Sequence, residues 1–278
     1  MSINAAGFRR LQELWPNALE VPRVDSPSVK EVEAFVHAGT PAIFTGIDFS
    51  SAVAEGTFEG LLERGPDVVV DACVDMPPIG PQLEAYSVDK VVDLPFSEYY
   101  DLMADAGRQR PCYTIDAQPN LFGFTDINVL EKLHPDLRSG GLFIGTEGAS
   151  IGLHIHRQAW VACLDGEKDV FLVHKEFSKY LDPVPLTPTW SRLDPMNPDF
   201  DGHPERKRIV PVIARLKAGE ILFIPDFMWH CLWPAGDAVS LHGRWDATVN
   251  VRRADPYDWR EFVVQMPGTF GWRQSAEV

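Results

Sequence analysis

The spacing of apolar positions changes near the middle of the chain. In the first half it is helical. Val32, Phe35 and Val36 form a stripe within residues 28–37, with Ser28 as a candidate N-cap, Glu31 three residues on and Gly39 past the end. The same reading expects helices over residues 8–14 (ended near Trp15-Pro16), 55–63, 96–106 (ended near Gly107) and 129–133, before His134-Pro135. Between them, residues 41–45, 67–74 and 112–115 read as strands, and 76–81 as a loop.

From Gly141 onward the pattern becomes short apolar runs separated by Gly, Pro and Asp. Strands are expected over 142–144, 152–156, 160–164, 169–174, 212–216, 221–224, 240–244 and 248–251. Many short strands with turn residues between them predict a closed or sandwiched β architecture. The expected fold is therefore mainly β with flanking helices: a helical N-terminal half packed on a C-terminal barrel. Residues 180–208 hold six prolines and few apolar runs, which predicts a long ordered loop over the site. The expected division is a support region at 1–110, a barrel at 111–252 with an insertion at about 178–210, and an extension at 253–278.

Composition narrows the function classes. With 278 residues, 45% of them apolar and 23% charged, the chain can bury a full core. A net charge of −15 argues against nucleic acid or an anionic membrane as partner. No run of about 18 apolar residues could span a bilayer, and no basic-then-apolar leader opens the chain, so a cytoplasmic location is expected. Cys73, Cys112, Cys163 and Cys231 form no CxxC pair or zinc-knuckle spacing and read as buried thiols, although Cys231 neighbours His230.

The candidate chemistry centres on Gly145-Thr-Glu-Gly-Ala-Ser-Ile-Gly-Leu-His154-Ile-His156. On a strand, positions i and i+2 share a face, so His154 and His156 could offer two imidazoles to one metal. A third candidate, His230, follows the run Glu220-Ile-Leu-Phe-Ile-Pro225. Imidazole ligates iron, copper and zinc alike. His174 and His203 have no partner spacing, and His203 sits in a proline-rich stretch. His242 lies on a strand near His230. Trp160, Trp229, Trp233 and Trp245 cluster around these segments, either lining an apolar substrate pocket or packing the core.

Four motifs in order carry a resemblance to JmjC-type, cupin-like dioxygenases. Leu142-Phe-Ile-Gly145 through His154 resembles the entry to that family's metal site. Asp165-Gly166-Glu-Lys168-Asp-Val-Phe-Leu172 is similar to its glycine–any–lysine turn and the strand that follows. Ala218-Gly219-Glu220 through Pro225, with Trp229-His230, is similar to its last metal-ligand strand, and Thr248-Val-Asn250-Val to the strand that closes the barrel. The likeness covers most of residues 30–252. It implies a double-stranded β-helix holding Fe(II), with 2-oxoglutarate and dioxygen as co-substrates. It also implies hydroxylation of a C–H bond in a peptide, a protein side chain or a small metabolite.

The resemblance places His154 and His230 on the metal and pairs Lys168 with the distal carboxylate of 2-oxoglutarate. A buried ammonium needs such an anion. Asn250 takes a position near the co-substrate, and Tyr113 could donate its hydroxyl to the same carboxylate. Ile151 stands where the family often offers a hydroxyl, with Ser150 as the adjacent substitute. The chain departs from the usual His-x-Asp/Glu pattern at His156, and a third imidazole leaves the metal one unit more positive than a carboxylate would. Two alternatives therefore stay open: a three-histidine dioxygenase acting without 2-oxoglutarate, and a non-catalytic binding protein on the same barrel. Homodimerisation through residues 259–272 is a further expectation.

Overall fold

Residues 28–39 fold as their spacing dictates. Ser28 accepts from the Glu31 N–H while the Glu31 carboxylate accepts from the Ser28 N–H, and Gly39 closes the helix in the left-handed region, its N–H reaching the Phe35 and Val36 carbonyls. The computed structural model describes residues 3–74, 91–105, 111–117, 122–123, 128–184 and 187–245. In the first half these form α1 (Ile3–Leu14), β1 (Leu19–Glu20), β2 (Arg23–Asp25), α2 (Val29–Ala38), β3 (Ala42–Thr45), α3 (Ser50–Glu55), α4 (Phe58–Arg64), β4 (Val69–Cys73), β5 (Val91–Pro95), α5 (Phe96–Ala104) and β6 (Tyr113–Ala117). After a short 3-10 turn at Val129–Lys132 come β7 (Leu137–Gly145), β8 (Ala159–Asp165), β9 (Glu167–Val173), β10 (Pro183–Val184), β11 (Thr187–Ser191), β12 (Val212–Lys217), β13 (Ile221–Ile224), β14 (Trp229–Pro234) and β15 (Ala238–Trp245).

Two sheets face each other. The larger runs β2-β3-β13-β8-β15-β7-β6-β4-β5 and the smaller β1-β12-β9-β14. This is the expected double-stranded β-helix, with strands from the first 110 residues continuing the larger sheet. Strand alternation divides the apolar side chains into three layers. Val161, Cys163, Val170, Leu172, Ala214, Leu216, Leu222 and Ile224 point into the barrel. Trp160, Ala162, Leu164, Ile221, Phe223, Val239 and Leu241 point outward from the larger sheet, under α2–α5. Trp160 lies within 4.6 Å of Phe223 and 6.0 Å of Phe44, ring centre to ring centre. Each such buried apolar side chain contributes about 1.5–3 kcal/mol.

The outer face of the smaller sheet carries Phe171, Val173, Ile213, Trp229, Cys231 and Trp233 and is capped by Leu11 and Trp15. The Trp15 ring sits 5.2 Å from Phe171, and its N–H donates to the Pro195 carbonyl at 2.9 Å. Asp169 is buried beneath α1 and takes two bonds from Arg215, at 2.8 and 3.0 Å. Tryptophans 160, 229 and 233 therefore pack the outer layers and line no interior pocket. Their parity puts them opposite the inward residues of the same strands.

Three expected elements differ in detail. The helix expected at 55–63 is two helices, broken where Gly56 packs against Leu164 so closely that a Cβ would meet it at 2.6 Å, and restarted by the Thr57 cap. Residues 180–184 and 187–208, expected to be one long loop, carry the paired strands β10 and β11 and a 3-10 turn at Pro204–Arg208. The strand expected at 152–156 reduces to isolated bridges at His154, because Gly152 has φ +83° and turns the chain out of extended geometry. The expected strand at 248–251, the loop at 76–81 and the candidate dimer segment lie outside the described residues.

The β8–β9 turn requires glycine twice over. Gly166 has φ +69°, and a Cβ there would stand 2.1 Å from the Asp237 carbonyl oxygen. Gly39 has φ +61° and open space around the same position. Gly39→Ala should therefore cost about 1–2 kcal/mol from backbone strain alone, and Gly166→Ala distinctly more. Urea unfolding midpoints test the order. The reverse order would show that the segment around Asp237 yields freely and that the turn is not clamped.

Candidate metal centre

His154 and His230 are tied to each other by the backbone. The His154 N–H donates to the His230 carbonyl at 3.0 Å and the His230 N–H to the His154 carbonyl at 2.8 Å. This pair extends the smaller sheet beyond β14. The insertion continues it on the far side, where Ile155 donates to Thr189 and Ser191 to Leu153, both at 2.9 Å. Trp190 of β11 stacks on the His154 ring at 5.0 Å and 25°. His156 lies beyond this ladder, on a segment hung from the β13–β14 turn. Its carbonyl accepts from the Phe227 N–H at 2.9 Å, and the Gln158 N–H donates to the Asp226 carboxylate at 2.7 Å.

Each imidazole is held through Nδ1. That of His154 faces the Gly152 carbonyl at 3.0 Å, that of His230 the Met228 carbonyl at 2.8 Å, and that of His156 the Arg157 carbonyl. A carbonyl only accepts, so every Nδ1 carries a proton, and a neutral ring so held presents its Nε2 lone pair. One ligand atom from each of the three histidines lies within 4.8 Å of the others, and the Nε2 atoms of His156 and His230 are 3.1 Å apart. Two Nε2 atoms at that separation are held by a cation between them, a proton or a metal ion. Burial pushes the His154 ring down to about 4 and the His230 ring well below its ordinary range, the latter also through its two neighbouring imidazoles, so both are neutral at pH 7. Neutral, converging imidazoles fit a divalent transition metal such as iron, copper or zinc.

Of the second set of predicted residues, Lys168 and Tyr113 lie on the inner surface of the barrel. Lys168 is on the inward face of β9, four residues along the strand from Leu172, which pairs with His230; that is on the order of 13 Å of strand. It is 2% exposed, donates to Ser240 Oγ at 2.6 Å, and lies 5.7 Å from both the Tyr113 and the Phe143 ring centres. Burial brings it down to about 8. No carboxylate pairs with it among the described residues. Tyr113 is buried, stacks on Phe143 at 5.8 Å and is raised by desolvation. Asn250 lies outside the described residues.

The remaining candidates separate cleanly. Ser150 accepts from the Gly152 N–H and touches Cys231 at 3.1 Å, so it serves the turn before His154. Cys231 points to the outer face of β14, although it neighbours His230. His174 caps the 3-10 turn at Lys175–Tyr180, and His203 stands beside Glu205 near the surface. Sequence reasoning missed Trp190, Phe143 and Ser240. The period-two parity of β7 and β15 carries a signal for Phe143 and Ser240, whereas only the folded insertion brings Trp190 to His154.

Comparison with known proteins agrees with this architecture. Residues 28–245 match the cupin-like domain family, and the chain belongs to it. The JmjC domain-containing protein C of Dictyostelium discoideum is 28% identical over 128 residues, a stretch that covers 42% of this chain and 31% of that protein. Family and three-histidine cluster together are consistent with a metal-dependent oxygenase.

The depressed His154 sets a pH dependence in the metal-free protein. A histidine that is harder to protonate when folded leaves the unfolded chain holding more protons between about pH 6.5 and 4, so stability falls as pH drops through that window. The loss from this one group reaches on the order of 3 kcal/mol near pH 4. Thermal melts from pH 7.5 to 4.5 should show the decline, and His154→Asn should make it shallower, with the share of His230 remaining. An unchanged slope in that variant would refute the assignment.

Proposed function

We propose that the protein is an Fe(II)- and 2-oxoglutarate-dependent oxygenase that hydroxylates a C–H bond of a peptide, a protein side chain or a small metabolite. The observation that carries the proposal is the pairing of three converging Nε2 lone pairs with a buried ammonium inside one barrel. When bound, the metal and the 2-oxo acid supply the oxidising chemistry that activates dioxygen. His154, His156 and His230 would hold the metal, and Lys168 and Tyr113 would orient the distal carboxylate.

Charge supports the choice of co-substrate. Three neutral imidazoles leave a divalent metal at its full charge, and Lys168 adds another positive charge in a dry interior. An unpaired charge there is costly. A dianionic 2-oxo acid offsets it, with one end at the metal and the other at Lys168. His156 in place of a carboxylate makes the incoming dianion more necessary, because among the described residues no protein anion joins the three imidazoles. The same residue favours a second reading, a three-histidine dioxygenase whose organic substrate binds the metal directly. Turnover without any 2-oxo acid would select it.

The test is anaerobic titration of the Fe(II)-loaded protein with 2-oxoglutarate, following the visible absorption of the chelated oxo acid. A saturable band is expected. Lys168→Ala should weaken the apparent affinity by roughly tenfold to a hundredfold, the range for a lost charge-assisted bond, without changing iron uptake. Affinity in the unsubstituted protein should fall as pH rises through about 8, where the lysine loses its proton before any anion binds. Iron uptake with no band, or a Lys168→Ala protein of unchanged affinity, would reject the 2-oxoglutarate assignment.

A further inference from the structure

A β-bulge in the wall of the barrel singles out His242. Along β7 and β15, Leu142 pairs with Leu241 and Ser139 with Gly243, so Gly140 and Gly141 together stand opposite the single residue His242. Such bulges re-aim side chains and concentrate next to active sites. The Gly141 N–H donates to His242 Nε2 at 3.0 Å, and a Cβ on Gly140 would come within 2.9 Å of the ring. The two glycines thus form a seat for an imidazole. The ring stacks on Phe143 at 4.6 Å and 22°, and Phe143 stacks in turn on Tyr113 at 17°.

The other neighbour of β15 fixes the face. His242 pairs with Val161 and Ser240 with Cys163, and both partners belong to the barrel interior. His242 therefore shares an inner surface with Ser240, which accepts from Lys168. Phe143, Ile151 and His242 keep partial exposure although Tyr113 and Lys168 around them are buried, which leaves room beside the stacked rings.

We propose that His242 determines which 2-oxo acid the pocket accepts, by donating from Nδ1 to the distal carboxylate that Lys168 neutralises. The inference rests on the co-substrate reading above. Because Nε2 accepts from Gly141, the proton sits on Nδ1, and the ring meets an anion as a donor. Lys168 supplies charge on a flexible stem, whereas the seated, stacked ring supplies direction. A site built to hydrogen-bond a group discriminates against the analogue that lacks it, since its polar atoms are then left unpaired.

The experiment is anaerobic calorimetry of the Fe(II)-loaded protein with 2-oxoglutarate and with 2-oxovalerate, which has the same carbon chain without the distal carboxylate. His242→Phe keeps a ring on Phe143 and removes the donor. It should weaken 2-oxoglutarate binding by roughly tenfold or more, leaving 2-oxovalerate binding and iron uptake unchanged. His242→Asn, whose amide nitrogen falls near the Nδ1 position, should recover part of the loss. Equal losses for the two acids, or none for 2-oxoglutarate, would overturn the proposal. If His242→Phe does not fold, nitrogen-15 imidazole spectra of the unsubstituted protein decide. A His242 Nδ1 shift with 2-oxoglutarate and not with 2-oxovalerate supports the role, and an unmoved resonance overturns it. Iron uptake with neither acid bound would mark failure of the co-substrate reading itself, and would remove this proposal with it.

Discussion

The site depends on three hydrogen bonds that point away from it. Each candidate imidazole gives its Nδ1 proton to a backbone carbonyl, and that choice alone turns three Nε2 lone pairs toward one point. Without those bonds the rings could adopt the other tautomer, or pair with one another and need no cation. The carbonyls in turn are placed by the fold. Gly152 turns sharply before His154, Met228 lies in the β13–β14 turn, and the same turn holds the His156 segment through Phe227 and Asp226. The two facing sheets exist, from this viewpoint, to bring that turn and the residues after Gly152 together.

Charge distribution gives the interior its character. The chain carries a net −15, yet the described residues inside the barrel present a buried ammonium and four imidazoles, the three of the metal centre and His242, with no carboxylate among them. Acidic groups elsewhere do not relieve this, because each buried polar group answers to its immediate partners. Asp169 shows the contrast. One residue along β9 from Lys168, it faces the opposite side of the sheet and is fully engaged by Arg215. Strand alternation thus keeps a buried anion and a buried cation apart.

Much of this was legible in the sequence because strand periodicity and turn chemistry are local. Ser28, Glu31 and Gly39 announced a helix with both ends, and Gly166 before Lys168 announced the turn that sets the lysine on an inward position. The three histidines were legible as a group, but the reason given for two of them was wrong in detail. Gly152 breaks the strand, so His154 joins His230 through a ladder and His156 arrives by the β13–β14 turn. The tryptophans were ambiguous, since an apolar side chain reads alike on either face of a doubly covered strand. β14 was not among the strands expected from the pattern, although Trp229-His230 stood in the motif that resembles the family's last metal-ligand strand. Gly140-Gly141 was visible, but its meaning needed His242 across the sheet.

The central claim is that three neutral imidazoles hold one metal ion. X-ray absorption at the iron edge, on protein loaded anaerobically with Fe(II), tests it most directly. The account predicts one iron per chain with three imidazole scatterers, falling to two in His156→Ala. An iron site with two imidazoles in both proteins, or no stoichiometric iron in the unsubstituted protein, would contradict it.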